Sequence, residues 1–377
     1  MDSIKRILQE KIEAKLIPGK AVLLFGARRT GKTFLINEIL KKYSGKYLLL
    51  NGEDSIALNL LAERSISNYR NLLKGVELLA IDEAQNIPEI GKIMKLIVDE
   101  VSGVKILASG SSSFDLLNKS GEPLTGRSFH FQLYPIAQME LSEQENLLEI
   151  RQNLESRLIY GMYPEVVLLE SPNDKKDYLI NLASSYLLKD ILAINGLRNS
   201  SIVKDLLRLL AFQLGKEVSN EELARQLGIS KNTVGKYLDL LSKTFVIFSL
   251  TGYSKNLRKE IKSTTKWYFY DNGIRNTLIG NYNSLMLRTD TGEIWENYLI
   301  SERIKKIQYQ NMQKDIFFWR TYDQQEIDVI ERGMDSLEAY EIKWKEKSVK
   351  TPGAWAKTYP DAKFNVISQN NYLEWIA

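Results

Sequence analysis

Five short apolar runs, AVLLF, KYLLLN, VELLAID, KILASG and FHFQLYP, recur through the first third of the chain with longer amphipathic or turn-rich stretches between them. Runs of that length alternating with helical spacing predict buried strands of a mostly parallel sheet with helices on both faces. FLINEILKKY shows the complementary pattern, since Phe34, Leu35, Ile39, Leu40 and Tyr43 fall on one helical face. Residues 141–215 are mostly helical in period, with SPND at 171–174 expected as a loop between helices. Two further runs, TFVIFSL and KWYFYD, predict strands. The last hundred residues bring an amphipathic helix, GEIWENYLISERIKKI, and then strands in IFFWR, EIDVIE and LEAYEIKW.

Composition narrows the chemistry. The chain has 377 residues, 44% hydrophobic and 26% charged, enough for two or three domains that each bury a core. It has no Cys and one His, His130, which removes disulfides, thiolate metal sites and cysteine nucleophiles and argues against His-dependent triads. Carboxylates, Lys, Arg, hydroxyls, backbone amides and hard cations such as Mg²⁺ are left to do any chemistry. No apolar run approaches bilayer length, and MDSIKRILQEKIEAKL lacks the apolar centre of a secretion signal, so no membrane partner and a cytoplasmic location are expected. The net charge of +4 is small, but KNLRKEIKSTTK, residues 255–266, sets five basic residues against one acidic.

Between the run AVLLF and the helix FLINEILKKY lies GARRTGKT, residues 26–33. GxxxxGK[ST] between a buried strand and a helix is the phosphate-binding P-loop. Gly26 and Gly31 let the backbone turn closely enough for its N–H groups, Arg29 and Thr30 included, to surround a phosphate at the positive end of the following helix. Lys32 is expected to reach the β- and γ-phosphates of ATP, and Thr33 to place its hydroxyl on Mg²⁺. The side chains of Arg28 and Arg29 fit solvent or a partner equally well. VELLAIDEAQ supplies the acidic half: Asp82 suits the Walker B role of holding Mg²⁺, and Glu83 is placed to polarise the attacking water. Ser111 or Ser112, at the end of KILASGSSSF, is a candidate to sense the γ-phosphate or position that water.

These motifs, with LTGR and the strand ending at Tyr134-Pro135, resemble the prokaryotic AAA-type ATPases that carry a C-terminal restriction-endonuclease-like domain of unknown function. GMYPEV at 161–166 and YLLKDI at 186–191 extend the resemblance along the chain. It implies that Arg127, in the TGR segment, is an arginine finger or sensor, acting in cis or from a partner subunit.

EVSNEELARQLGISKNTVGKYLDLLSKTFVIFSL reads as a helix-turn-helix. Ser219 with Glu222 forms a capping box over a helix bearing Leu223, Ala224 and Leu227, Gly228 ends it, and Ser230 caps the next. Val234, Leu238 and Leu241 face the core of the second helix, which leaves Lys231, Asn232, Thr233, Lys236 and Lys243 outside. With the two strands flanking the basic loop 255–266 as a wing, one use is DNA, with the second helix in the major groove and the loop on phosphates. The other is packing between domains.

At the C-terminus Asp328 lies on one predicted strand, and Glu341 and Lys343 on the next with one residue between them, so that both point to the same face. Asp328 and Glu341 are candidates to hold Mg²⁺, with Glu296 on the preceding helix as an extra carboxylate and Lys343 as the catalytic lysine. The order resembles the PD-(D/E)xK nuclease core, with Ile327 where the Pro would stand and with Gly292, Glu296 and Asn297 matching its helix pattern. Such domains occur both as nucleases and as inactive binding modules.

The expected fold is therefore α/β: a P-loop ATPase core over 1–140, a helical lid over 141–200, a winged helix-turn-helix over 201–280 and a nuclease-like domain over 281–377. The expected function is Mg²⁺-dependent ATP hydrolysis moving the winged helix and the nuclease-like module on DNA, in a homo-oligomer or with a protein partner. The alternatives are a nucleotide-switched regulator with an inactive nuclease-like domain, and an ATP-gated metal-dependent nuclease.

Overall fold

A computed structural model describes residues 4–111, 124–187, 200–254 and 265–377. They fall into two compact units, one built mainly from the chain up to Pro135 and the other mainly from Ile136 onward.

The first unit is an all-parallel sheet of β1 (Ala21–Phe25), β2 (Tyr47–Asn51), β3 (Leu78–Asp82), β4 (Lys105–Gly110) and β5 (Ser128–Gln132), in the order β2-β3-β4-β1-β5. Every residue of β1 and β3 is buried, which is why these strands read as continuous apolar runs rather than as alternating ones. Leu23, Phe25, Leu79, Ile81 and Ile106 join Ile93, Met94 and Ile97 of the helix Ile90–Glu100 in the main apolar cluster. The helix after β1 spans Lys32–Lys42 and buries Leu35, Ile36, Ile39 and Leu40. Phe34, expected on that face, is exposed instead; Ile36 takes its place in the buried stripe.

The second unit opens with helices Leu147–Tyr160, Pro164–Leu168 and Pro172–Asn181, and Ser200–Phe212 follows. SPND is a helix start rather than a loop: Ser171 accepts the Asp174 N–H and Pro172 occupies the first turn, where its missing N–H costs nothing. Strands β6 (Glu217–Val218), β7 (Ile247–Thr251) and β8 (Thr265–Phe269) form an antiparallel sheet in the order β6-β8-β7. Between β6 and β7 stand the helices Asn220–Leu227 and Lys231–Lys243. Ser219 accepts the Glu222 N–H and Gly228 closes the first helix in the left-handed conformation, as expected. The Glu222 carboxylate takes Gln213 and Gln226 Nε2 as donors instead of the Ser219 N–H, so the expected capping box is only half formed. Residues 255–264 of the basic loop lie outside the described residues.

The C-terminal part runs helix Asn272–Ile279, helix Thr291–Tyr309, β9 (Asp315–Arg320), β10 (Glu326–Arg332), β11 (Leu337–Ile342), helix Gly353–Thr358 and β12 (Lys363–Ile367). The sheet order is β12-β11-β10-β9, antiparallel apart from the parallel pair β11/β12. Phe317, Trp319, Ile327, Ile330, Ala339, Trp355 and Tyr359 make its core. Ile327 is fully buried there, so an apolar residue serves packing at that position. Asn297 joins the helix Thr291–Tyr309 to β8 by bonding both the N–H and the C=O of Phe269.

Candidate functional site

The loop 26–33 leaves β1 at the carboxyl end of the sheet, where ligands of parallel α/β sheets bind. Its two glycines have separate reasons. A Cβ on Gly26 would stand 2.3 Å from the Leu133 carbonyl oxygen, and Gly31, with φ +97°, takes the left-handed conformation that starts the helix. Arg6, buried and far away in sequence, braces the loop by donating to the Thr30 and Tyr134 carbonyls at 2.7 Å each. The buried Lys32 ammonium donates to the Gly26 and Ala27 carbonyls of its own loop at 2.9 and 3.0 Å. Thr30 Oγ1 bonds the Ala27 carbonyl at 2.8 Å, and Arg29 is held at φ +63°.

The acidic half meets this loop. Thr33 Oγ1 donates to Asp82 Oδ2 at 2.6 Å, so the residues expected to share a cation already touch. Ser109, on β4, donates to the other Asp82 oxygen and accepts the Glu83 N–H at 3.3 Å. Glu83 sits just past β3 at φ +49°, and its carboxylate accepts from Gln85 Nε2, whose Oε1 in turn takes the Ser111 N–H. Lys32, Thr33, Asp82, Glu83 and Ser111 are thus gathered at the carboxyl ends of β1, β3 and β4. The groups present, a buried ammonium for the phosphate and a hydroxyl and a carboxylate as oxygen ligands, fit a nucleotide phosphate with a hard cation. Ser112 lies outside the described residues.

Arg127 does not join them. Its carbonyl accepts the Ala21 N–H at the start of β1, and its side chain pairs with Asp99 at 2.6 Å. That is the amino end of the sheet, about 16 Å of strand from the loop. A role for Arg127 on the phosphates of its own chain is therefore corrected by sheet polarity: the residue preceding a parallel strand lies at the opposite edge from the one following it.

In the second unit each of the four C-terminal candidates has a partner of its own, and Lys266, Tyr268 and Glu326, which sequence reasoning left out, stand beside them. Tyr268 Oη donates to Glu296 Oε1 at 2.7 Å, and the Ile342 N–H donates to Asp328 Oδ2 at 2.8 Å. Lys343, one residue past β11, pairs with Glu341 at 2.6 Å. Lys266 Nζ pairs with Glu326. Burial and then the neighbouring Glu296 and Glu341 charges push Asp328 well above the usual carboxylate range. Burial likewise raises Glu296. Burial works to lower Lys266, but Glu296, Glu326 and Asp328 outweigh it and hold its pKa above the ordinary value. Lys266, expected in the basic loop, is a buried residue of β8, so it is not available to nucleic-acid phosphates. The signal was in the sequence: Lys266 and Tyr268, two apart on a strand, share a face.

Comparison with known proteins separates the two units. Residues 18–142 match a family described as "AAA domain". Residues 151–285 and 291–371 match two families described as "Domain of unknown function", DUF8612 and DUF4143. The first unit is therefore an AAA-type P-loop domain, a class that binds nucleotide, usually with Mg²⁺, and supports ATP hydrolysis in general. An uncharacterized protein of Methanocaldococcus jannaschii is 26% identical over 79% of this chain and 69% of its own length. Among solved structures, a Signal Transduction ATPase with Numerous Domains from Pyrococcus horikoshii aligns at 11% identity and TM-score 0.30, over 79% of this chain; the match spans 44% of that protein. The RuvB Holliday junction branch migration motor of Thermotoga maritima aligns at 15% identity and TM-score 0.33, over 69% of this chain and 95% of its own. Among the described residues, no helix is long and apolar enough to cross a membrane.

Proposed function

We propose that the chain is a Mg²⁺-dependent ATPase whose nucleotide cycle drives a DNA-binding second unit. The observation that carries it is the direct contact of Thr33 with Asp82, beside Lys32 and Glu83, at one end of the sheet. In this reading the N–H groups from Gly26 to Thr33 and the Lys32 ammonium hold the phosphates. Thr33 and Asp82 hold Mg²⁺, which supplies charge neutralisation on the phosphates. Glu83 accepts the proton of the attacking water, with Gln85 and Ser111 orienting its carboxylate. Arg127 serves a neighbouring subunit's phosphate in a homo-oligomer, because its own is at the far end of the sheet.

For the second unit the reading is a winged helix-turn-helix over 201–280 and a restriction-endonuclease-like fold over 281–377. The pair of helices Asn220–Leu227 and Lys231–Lys243 beside a small antiparallel sheet supports the first. A helix, three antiparallel strands, a helix and a parallel strand support the second. Lys231, Asn232 and Lys236 are exposed on the second helix, where DNA phosphates and bases would meet them.

Two variants test the first half. Lys32→Ala is expected to abolish binding of a fluorescent ATP analogue, and Glu83→Gln to keep binding while turnover falls ~100-fold or more. Wild-type affinity in Lys32→Ala, or wild-type turnover in Glu83→Gln, refutes the assignment of that residue. A salt titration of duplex DNA binding tests the second half. A steep loss of affinity with salt that Lys231→Ala and Lys236→Ala make shallower supports it. An absence of binding at low salt rejects DNA as the partner.

A further inference from the structure

Four carboxylates crowd the place where a nuclease would hold its cation, and each already has a protein donor. Glu296 has Tyr268 Oη, Asp328 has the Ile342 N–H, Glu341 has Lys343, and Glu326 has Lys266. The last of these is the unusual one. Lys266 comes from β8, outside the C-terminal sheet, and its side chain is 3% exposed. An ammonium is buried to that degree only when carboxylates replace its water. The charges of Glu296 and Asp328 reach it as well as Glu326, and its ammonium also lies 5.1 Å from the Phe318 ring centre. Gly215 leaves room for the same arrangement: a Cβ there would come within 3.1 Å of Glu296 Oε1. Among the described residues, no three His, Cys, Asp or Glu side chains are grouped to hold a metal ion. The donor set therefore does not fit the divalent cation that the PD-(D/E)xK resemblance implies.

We infer that this cluster is filled by the chain's own lysine: Lys266, paired with Glu326, is its resident cation, and with the Tyr268–Glu296 bond it clamps β8 onto β10 and onto the helix Thr291–Tyr309 instead of leaving room for a catalytic metal. A buried point charge with three donors can satisfy several carboxylates at once, and it cannot activate water as a dication does. The second unit on this account binds its partner without cutting it. The inference does not depend on whether the first unit hydrolyses ATP.

The test uses the intact chain and terbium(III), a hard cation whose luminescence is sensitised by nearby indoles. All six tryptophans, Trp267, Trp295, Trp319, Trp344, Trp355 and Trp375, belong to the second unit, and Trp267 adjoins Lys266. Emission from the cluster is the tryptophan-excited signal that differs between wild type and the Asp328→Asn and Glu296→Gln variants. Wild-type protein is expected to give no saturable emission from the cluster up to millimolar terbium. Lys266→Met, nearly isosteric and uncharged, is expected to melt lower and to gain saturable emission that excess Mg²⁺ competes away. Glu326→Gln is the second variant, expected to melt lower because it frees the ammonium without removing its bulk. Saturable wild-type emission that Asp328→Asn or Glu296→Gln abolishes overturns the inference. Emission that survives both variants arises elsewhere and leaves the cluster metal-free. Wild-type melting temperatures in both Lys266→Met and Glu326→Gln also overturn it.

Discussion

Ser109→Ala isolates one side chain behind the proposed Mg²⁺ site. Ser109 is 1% exposed and bridges the two acids, donating to Asp82 and accepting the Glu83 N–H at 3.3 Å. Alanine removes both bonds and little else. Each buried polar group that loses its partner costs about 1–3 kcal/mol, and among the described residues Asp82 keeps only Thr33 as a side-chain donor. A ligating carboxylate that loses its outer partner typically weakens metal affinity ~10–100-fold, equivalent to about 1.4–2.8 kcal/mol, so the two scales agree. The assay is steady-state ATP turnover against free Mg²⁺ at saturating ATP. The half-saturating Mg²⁺ concentration is expected to rise ~10–100-fold, while affinity for a nucleotide analogue without Mg²⁺ stays unchanged. Ser109→Thr, which keeps the hydroxyl, should restore most of the loss. An unchanged Mg²⁺ midpoint in Ser109→Ala refutes the bridging role. So does a larger midpoint shift in Ser111→Ala than in Ser109→Ala.

Two further predictions concern what holds the second unit. Glu331 is fully buried between Arg303, at 2.6 and 2.8 Å, and Lys314 at 2.8 Å, with Trp375 Nε1 as a further donor. Glu331→Gln strands the Arg303 cation and leaves Lys314 with Glu338 alone, and is expected to cost about 3–5 kcal/mol, a fall of roughly 6–20 °C in melting temperature for a domain of this size; wild-type melting contradicts it. Burial works to raise the Glu331 pKa, but Arg303 and Lys314 pull it below the ordinary 4.5. Its stabilisation is therefore complete above that value and is lost as pH falls through the depressed folded pKa. A melting series below about pH 4.5 should accordingly fall more steeply in wild type than in the Gln variant; parallel curves would show the charge contributes nothing. Gly273→Ala places a Cβ 2.0 Å from the Tyr160 carbonyl oxygen, a backbone atom that cannot swing aside. It should destabilise by more than ~1–3 kcal/mol, whereas Gly292→Ala, with nothing within 4 Å, should melt at or slightly above the wild-type temperature; equal melting of the two rejects the clash.

What could be read from the sequence depended on how far apart the interacting residues lie. Strands β1 and β3 were legible because a strand covered on both faces must be apolar throughout, and the loop 26–33 because its chemistry is local in sequence. The helix boundaries at Ser219, Gly228 and Ser230 were legible for the same reason: a cap acts on N–H groups two or three residues away. For Arg127 the sequence leaves action in cis and from a partner subunit open, and sheet polarity removes the first: a residue entering β5 cannot share an edge with one leaving the parallel β1. Ser109 was passed over for the serine run that follows it, because which strand residue faces Asp82 is fixed by β3 pairing with β4, 26 to 27 residues apart.

Lys266 marks the limit. Spacing puts Lys266 on one strand face with Tyr268 but does not say that this face is buried, and its partner Glu326 lies 60 positions further on. Only the fold brings β8 against β10 and converts a surface charge into a buried one. The same distance separates recognising a nuclease-like order of Glu, Asp and ExK from knowing whether a metal can enter. The order records four side chains, whereas occupancy is decided by the fifth, a cation the order does not include.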